Sequence, residues 1–350
     1  MNSRIQKLTQ TFKAHKIDAL LVLKDVNITY LTKFPASESW LLVFPKKSFY
    51  ITDFRYVLEA KKGLKGVNLK EYKNTLHETT FQTAQELKVK RLGFDERHVT
   101  LAQYKILKKK CPSGMELVAA NNLVENLREI KETQEIDQIK QALKVHQGAL
   151  KFLKKVIKPG ISEADVALRL QNYVKSRGYD FSFPSIIASG PNSCFPHAKV
   201  SSRKIRNNEI VLVDIGIDVN GYKSDLTRIF FLGRIPPLIQ KVSGYVKEAQ
   251  QKAIAKIKDG VAVADVDREA RNYLAKHKLD QYFGHSLGHG VGLEIHENPR
   301  LSQKSQSVLK EGMIVTVEPG VYLPNQFGIR HEEMILVKKN RGEVLSGYID

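Results

Sequence analysis

Cysteine is nearly absent from this sequence: there are two in 350 residues, Cys111 and Cys194, far apart along the chain. That excludes a disulfide framework and suits a reducing cytoplasm, which is the expected location. Long apolar runs are missing too. None approaches the ~18 residues a spanning helix needs, so no membrane partner is expected. The opening stretch MNSRIQKLTQTFKAHKIDALLVL carries lysines where a secretory signal would need its apolar centre. Acidic charge is in deficit, with 37 Asp and Glu against 56 Lys and Arg, a net charge of +19. Such an excess raises the question of nucleic acid. Yet the lysines are spread over the whole chain, with only short clusters at 108–110, 61–62 and 154–155. None interleaves with aromatics as a stacking platform would, and no nucleic-acid motif is present. The charge reads as solvated surface, with no nucleic-acid partner.

What is present is the composition of a globular protein, 42% hydrophobic and 27% charged. The length favours two domains. Segment 4–17 places Ile5, Leu8 and Phe12 at helical spacing, and DALLVL (18–23) reads as a short buried strand. WLLVFP (40–45), SFYITD (48–53) and RLGFD (91–95) follow as strands, with helices over 57–64 and 77–88 between them. This is a small α/β domain. Residues 123–157 then read as one long helical stretch ended by Pro159-Gly160, and its charged beginning marks the domain junction. The domains are expected over 1–128 and 129–350. In the second, 161–178 and 263–278 are amphipathic helices.

Two strand–acid–glycine segments there resemble one another: EIVLVDIGI (209–217) and GMIVTVEPGVY (312–322). They suggest an internal duplication whose halves face each other across a shared site. Asp214 interrupts the first strand, and Asp225 follows at a hairpin distance with Asn220-Gly221 as the turn. Glu318 interrupts the second, and Glu332 lies in FGIRHEEMILV beyond it. An unpaired carboxylate in an apolar strand costs several kcal/mol or takes up a proton. One such acid is ordinarily an edge residue. Four in matching places require something cationic.

GHSLGHGVGLEIHENPR (284–300) adds His285, His289 and His296 among glycines that let backbone pass close to a ligand. Four carboxylates and one imidazole suit two divalent cations, whose charge they cancel. Oxygen-rich ligation favours manganese, with cobalt or zinc as alternatives. Such ions activate water near neutral pH and polarise a carbonyl.

These residues resemble the creatinase/aminopeptidase, or pita-bread, fold family, which includes aminopeptidase P, prolidase and methionine aminopeptidase. The resemblance rests on IIASGPNSCFPHA, VLVDIGI, GYKSDLTRIF, HSLGHGVGLEIHENPR, GMIVTVEPGVY and GIRHEEMILV, in that order, from about Lys131 onward. LTKFPASESWLLV and YITDFRYVLEA resemble the N-terminal domain of short Xaa-Pro peptidases, which argues against a methionine aminopeptidase. The resemblance implies a small N-terminal α/β domain plus a C-terminal α+β pita-bread catalytic domain. It implies a dinuclear metal-dependent peptidase, a homodimer, cutting between an N-terminal residue and proline in a peptide substrate.

By the same resemblance Asp214, Asp225, His289, Glu318 and Glu332 are the metal ligands, with Asp225 and Glu332 bridging and Glu318 also the base. His197 and His296 bind substrate and the developing oxyanion, and His285 borders the pocket. Phe183 and Arg300 match residues that line the proline pocket and bind the substrate carboxylate. Arg330 steadies ligand carboxylates. This chain departs from the family pattern at Cys194, at His331, expected to face solvent, and at Glu333. Two rival readings stand beside this one. One is a catalytically silent binding module for peptide or nucleic acid. The other is a Cys194–His197 thiol nucleophile, which leaves the strand acids unexplained. Dipeptidase against aminopeptidase preference stays open.

Overall fold

In the unit Met1–Arg128, short apolar segments alternate with helices and assemble into one sheet. The computed structural model describes residues 3–347. In chain order the unit runs α1 (Ser3–Gln10), β1 (Ala19–Val22), α2 (Asp25–Thr32), β2 (Trp40–Phe44), β3 (Lys47–Thr52), α3 (Phe54–Gly63), β4 (Asn68–Glu71), α4 (Leu76–Glu86), β5 (Arg91–Phe94), α5 (Leu101–Lys110), β6 (Glu116–Ala119) and α6 (Leu123–Glu129). The sheet order is β4-β3-β2-β1-β5-β6, and β1 and β2 are buried along almost their whole length. The strand segments expected from sequence are all found. The first helix is shorter than the 4–17 expectation. Thr9 and Thr11 donate their hydroxyls to the carbonyls of Gln6 and Leu8 at its end, and the following turn closes at Lys16 with φ 52°. Ile5, Leu8 and Phe12 are nonetheless all buried.

The expected single helix over 123–157 is broken, a correction to the sequence reading. α6 stops at Glu129 and α7 (Thr133–Val156) starts afresh. Glu132 and Glu135 form a reciprocal cap there, and the Lys131 amide is taken by the Gly312 carbonyl at 2.9 Å. A periodic apolar stripe continues across the break, so spacing alone hides it.

The unit Glu129–Asp350 is built twice from one plan. The first pass is α7, α8 (Glu163–Lys175), β7 (Asp180–Phe181), β8 (Ile186–Ser189), β9 (Glu209–Ile215), β10 (Ile217–Val219), β11 (Tyr222–Lys223) and β12 (Leu226–Leu232). The second is α9 (Pro237–Lys256), α10 (Val263–Lys276), β13 (Gly288–Gly290), β14 (Glu297–Leu301), β15 (Ile314–Val317), β16 (Gly320–Leu323), β17 (Phe327–Arg330), β18 (Glu333–Val337) and β19 (Gly342–Val344). Each pass gives a helix pair and an antiparallel strand pair, β9 with β12 and β15 with β18. Each strand pair is interrupted by a short hairpin, β10 with β11 and β16 with β17.

The match extends to the connections. The Gly160 amide reaches the Ile205 carbonyl in one half as Gly260 reaches Leu309 in the other. Helices cover each strand set with their own apolar cluster. Leu143, Leu150, Val166 and Leu170 pack on Val211 and Val213, while Val246, Ala249, Val266 and Ala270 pack on Val315 and Ile335. The Asn220-Gly221 turn is as the sequence implied, with φ of 53° and 86° and Val219 paired to Tyr222.

Leu153 is fully buried in the first cluster. Leu153→Ala is expected to lower the unfolding free energy by about 2–5 kcal/mol, read from urea melts. A loss under about 1 kcal/mol would mean that α7 is not packed as described.

Candidate metal centre

Strand pairing decides which acids can meet. On β9 and β12, Asp214 lies opposite Thr227 and Ile215 opposite Leu226, so Asp225 follows Asp214 across the pair. On β15 and β18, Val317 lies opposite Glu333, which puts Glu318 and Glu332 at the equivalent places of the second pair. Asp214, Asp225 and Glu332 are buried, and Glu318 is partly so. Ligand atoms of Asp225, His289 and Glu332 lie within 4.8 Å of one another. His289 Nε2 is also 3.3 Å from Glu318 Oε1 and 3.5 Å from Asp225 Oδ2.

His289 stands in a strand held tightly on both sides. A Cβ at Gly288 would run into the Thr316 carbonyl and one at Gly290 into that of Asn298, which explains two of the glycines. The His289 amide donates to Thr316 Oγ1 at 3.1 Å. Its Nδ1 lies 3.1 Å from the Gly290 carbonyl oxygen. A carbonyl only accepts, so Nδ1 carries a proton and Nε2 is the nitrogen that faces the acids, the orientation a metal-binding imidazole needs.

The charge of this cluster is unbalanced. Burial pushes the Asp225 carboxyl well above the usual carboxylate range, and Glu332, Asp214 and Glu318 push it the same way. Glu332 is raised well above its usual value by burial, then by Glu318 and Asp214. Asp214 is raised by burial, against the pull of Arg330. Glu318 goes the other way: burial would lift it, but His289 and the more distant His285 and Arg330 hold it low. His289 itself is raised, the pull of Glu318 overcoming burial.

Arg330 is the buried counter-charge. It donates from Nη2 to Asp214 Oδ2 at 2.6 Å, from Nε to Thr227 Oγ1 at 2.8 Å and from Nη1 to the Tyr322 hydroxyl at 2.6 Å. Thr227 Oγ1 in turn donates to Glu332 Oε2 at 2.9 Å. One arginine cannot neutralise four acids. Asp214 Oδ1 is buried with no hydrogen-bond partner among the described residues. An orphan carboxylate oxygen among raised acids, with an imidazole nitrogen turned toward them, fits divalent cations.

A second group of metal-like composition shows what a self-satisfied cluster looks like. In the first unit Asp95, His98 and Glu125 also approach one another. There Arg97 forks Asp95 at 3.0 and 2.6 Å, and Glu125 takes Asn27 and His98 at 2.8 and 2.6 Å. Protein cations already fill that need.

The remaining sequence candidates surround the main cluster. The His296 ring meets that of His289 edge-on, centroids 4.4 Å apart, and is exposed. Burial lowers the His296 pKa, and His289 and His197 lower it further, so His197 lies within electrostatic reach. His197 is exposed in the turn after Cys194. Among the described residues no hydrogen bond joins Cys194 to His197. Phe183 is half-buried, its ring over Gly216 beside the Asp214 strand. Arg300 pairs across strands with His289, is exposed, and donates to Ser286 Oγ at 2.7 Å.

His285 Nδ1 lies 2.8 Å from the Ser286 carbonyl, and Nε2 takes the Tyr322 hydroxyl at 3.1 Å. Burial keeps His285 below its ordinary pKa and lifts Tyr322 to about 12. Tyr322 was missed from sequence. Its only signal is its place four residues past Glu318, on the strand paired with the one that ends at Arg330.

His331 corrects the expectation that it faces solvent. It is half-buried, with Nε2 2.9 Å from Ser243 Oγ on α9, and burial lowers its pKa to about 4. Neighbouring residues of an extended chain point to opposite sides. With Glu332 turned into the cluster, His331 turns back to the helix. Glu333 pairs with Arg228 at 3.1 Å.

With the geometry in hand, the comparisons place the chain. Residues 137–339 match Metallopeptidase family M24, and residues 4–130 match the Creatinase/Prolidase N-terminal domain. The chain belongs to this metallopeptidase family, whose members work with divalent metal ions, and has its fold, a small α/β domain followed by a pita-bread domain. Among curated relatives, an Xaa-Pro dipeptidase of Pyrococcus horikoshii is 33% identical over 99% of this chain and 97% of its own. Among solved structures, an Xaa-Pro dipeptidase from Bacillus anthracis superposes with a TM-score of 0.95 at 34% identity, covering 98% of this chain and 97% of that one. An X-Pro aminopeptidase from Thermotoga maritima superposes with a TM-score of 0.89 at 30% identity, over 96% and 97%. No helix of the described residues is long and apolar enough to cross a membrane.

The raised carboxyls carry a pH signature. A carboxyl whose folded pKa exceeds its unfolded value holds an extra proton when folded, so stability falls as pH rises through that window. Metal-stripped Asp225→Asn is therefore expected to melt higher than metal-stripped wild type at about pH 8, by a margin that shrinks toward about pH 5. Differential scanning calorimetry in chelator checks this. A variant that melts below wild type there would contradict the charge imbalance.

Proposed function

We propose that this chain is an Xaa-Pro peptidase that hydrolyses the bond between an N-terminal residue and a following proline, using two divalent ions. The reading rests most on one observation: acids from two matching hairpins converge on one imidazole whose Nε2 faces them, and one of their oxygens is buried unpaired. The substrate reading is supported by full-length relatives that include both Xaa-Pro dipeptidases and X-Pro aminopeptidases.

On this reading Asp214, Asp225, His289, Glu318 and Glu332 would hold the ions. Manganese suits the oxygen-rich set, ahead of cobalt or zinc. When bound, the ions lower the pKa of water and polarise the scissile carbonyl. Glu318, ionised at neutral pH, takes a proton from the attacking water and delivers it to the proline nitrogen as the carbon–nitrogen bond breaks. His296 and His197 donate to the carbonyl oxygen as it gains charge. His285 stays neutral at the pocket edge, oriented by Tyr322. Phe183 offers a face to the proline ring, and Arg300 offers a charge to a substrate carboxylate. Arg330 keeps Asp214 in place. Proline has no N–H, so a shaped pocket, rather than a backbone grip, must select it. A homodimer in the cytoplasm completes the proposal, the location supported by two free cysteines.

Glu318→Gln is expected to lower kcat on an Xaa-Pro dipeptide by about 10²–10⁴-fold while leaving the circular dichroism unchanged. Near-normal turnover in that variant would end the assignment of Glu318. Running the wild type on an Xaa-Pro dipeptide beside an Xaa-Pro tripeptide separates dipeptidase from aminopeptidase preference.

A further inference from the structure

We propose that Asp267 and Arg271, one turn apart on α10, are positioning residues that set the loop Phe283–Leu287 and through it the placement of His285, His289 and Glu318. The claim about metal and turnover rests on the function proposed above; the claim about the loop does not.

Asp267 is fully buried. Its Oδ2 accepts from Arg271 Nε at 2.6 Å, and its Oδ1 accepts from the Leu287 amide at 3.1 Å. The guanidinium then reaches out of the helix. Nη1 donates to the Phe283 carbonyl at 2.8 Å, Nη2 donates to the His285 carbonyl, and the guanidinium carbon sits 4.1 Å from the Phe283 ring centroid. Alternate residues 283, 285 and 287 are thus tied to one side-chain pair. An ordinary helical ion pair spends its donors on its own helix; this one keeps Asp267 and also reaches two carbonyls of a loop.

The loop is also the hub of the site. The Leu287 carbonyl accepts the Glu318 amide at 2.8 Å, and two residues further His289 enters β13. A loop displaced at Leu287 would therefore move the imidazole and the carboxylate together.

The duplication supplies an internal control. α8 and α10 share an Ala-Asp-Val opening at 164–166 and 264–266 and an Asn-Tyr pair at 172–173 and 272–273. Val166 and Val266 are buried alike. Where α10 has Asp267 and Arg271, α8 has Ala167 and Gln171. The helix therefore packs on its sheet without the pair. The pair occurs in the half that carries the histidine loop.

Arg271→Ala and Arg271→Lys test this in the full-length protein, the lysine retaining charge but lacking the fork. Three readouts are taken: amide hydrogen exchange at Leu287 and Glu318 in metal-stripped protein, calorimetric titration with manganese(II), and turnover of an Xaa-Pro dipeptide. Both variants are expected to exchange these amides faster and to lose about 10–100-fold in manganese affinity and turnover. Dilute guanidinium is expected to restore part of the alanine variant's affinity, where equal sodium chloride does not. Wild-type exchange, affinity and turnover in the lysine variant would overturn the proposal, and that holds if the alanine variant fails to fold. Wild-type protein that binds no manganese would instead defeat the metal reading, while faster exchange in the variants would still support the loop assignment.

Discussion

Like charges buried at close range are the constraint around which the second unit is arranged. Four carboxyls on or beside apolar strands repel one another in surroundings that also penalise each charge singly. Arg330 and His289 offset only part of this, and the structure shows the deficit in Asp225 and Glu332, both pushed up, and in the unpaired oxygen of Asp214. The contrast with Asp95, His98 and Glu125 is instructive. There the arginine is adjacent and every acid has a partner, so the group closes on itself. In the main cluster the missing positive charge has to come from outside the chain.

Duplication is how one chain brings so many acids to one place. A single strand pair with its hairpin presents two carboxyls on one side. Repeating the plan and facing the copies gives four. Each half keeps its own helical cover and apolar cluster, so the acids sit on strands with apolar packing of their own. The halves then diverge where the chemistry needs them to. The second alone carries the glycine-rich strand that admits His289, and the side-chain pair on α10 that steadies the approach to it.

Much of this could be read from sequence because burial of charge leaves a local mark. An aspartate inside VLVDIGI or a glutamate inside IVTVEPG violates the strand pattern in place, and the Asn220-Gly221 turn carries its own signature. The strands of the first unit were legible for the same reason. What could not be read depends on contacts made across the fold. Tyr322 and Thr227 look like ordinary strand residues until Arg330 reaches both. Asp267 and Arg271 look like a surface ion pair until the loop folds over them. His331 seemed free to face water because the sequence does not show that α9, itself unforeseen, lies behind it. The break before α7 escaped because the apolar stripe runs on through it, while the signal lay in a reciprocal glutamate cap.

The central claim, that external cations supply the charge this cluster lacks, is tested most directly by counting metal. Elemental analysis of active wild-type protein, dialysed free of loose ions, should find two divalent ions per chain, and Asp225→Asn prepared in parallel should retain fewer. Full activity in wild-type protein that carries no stoichiometric ion would contradict the account.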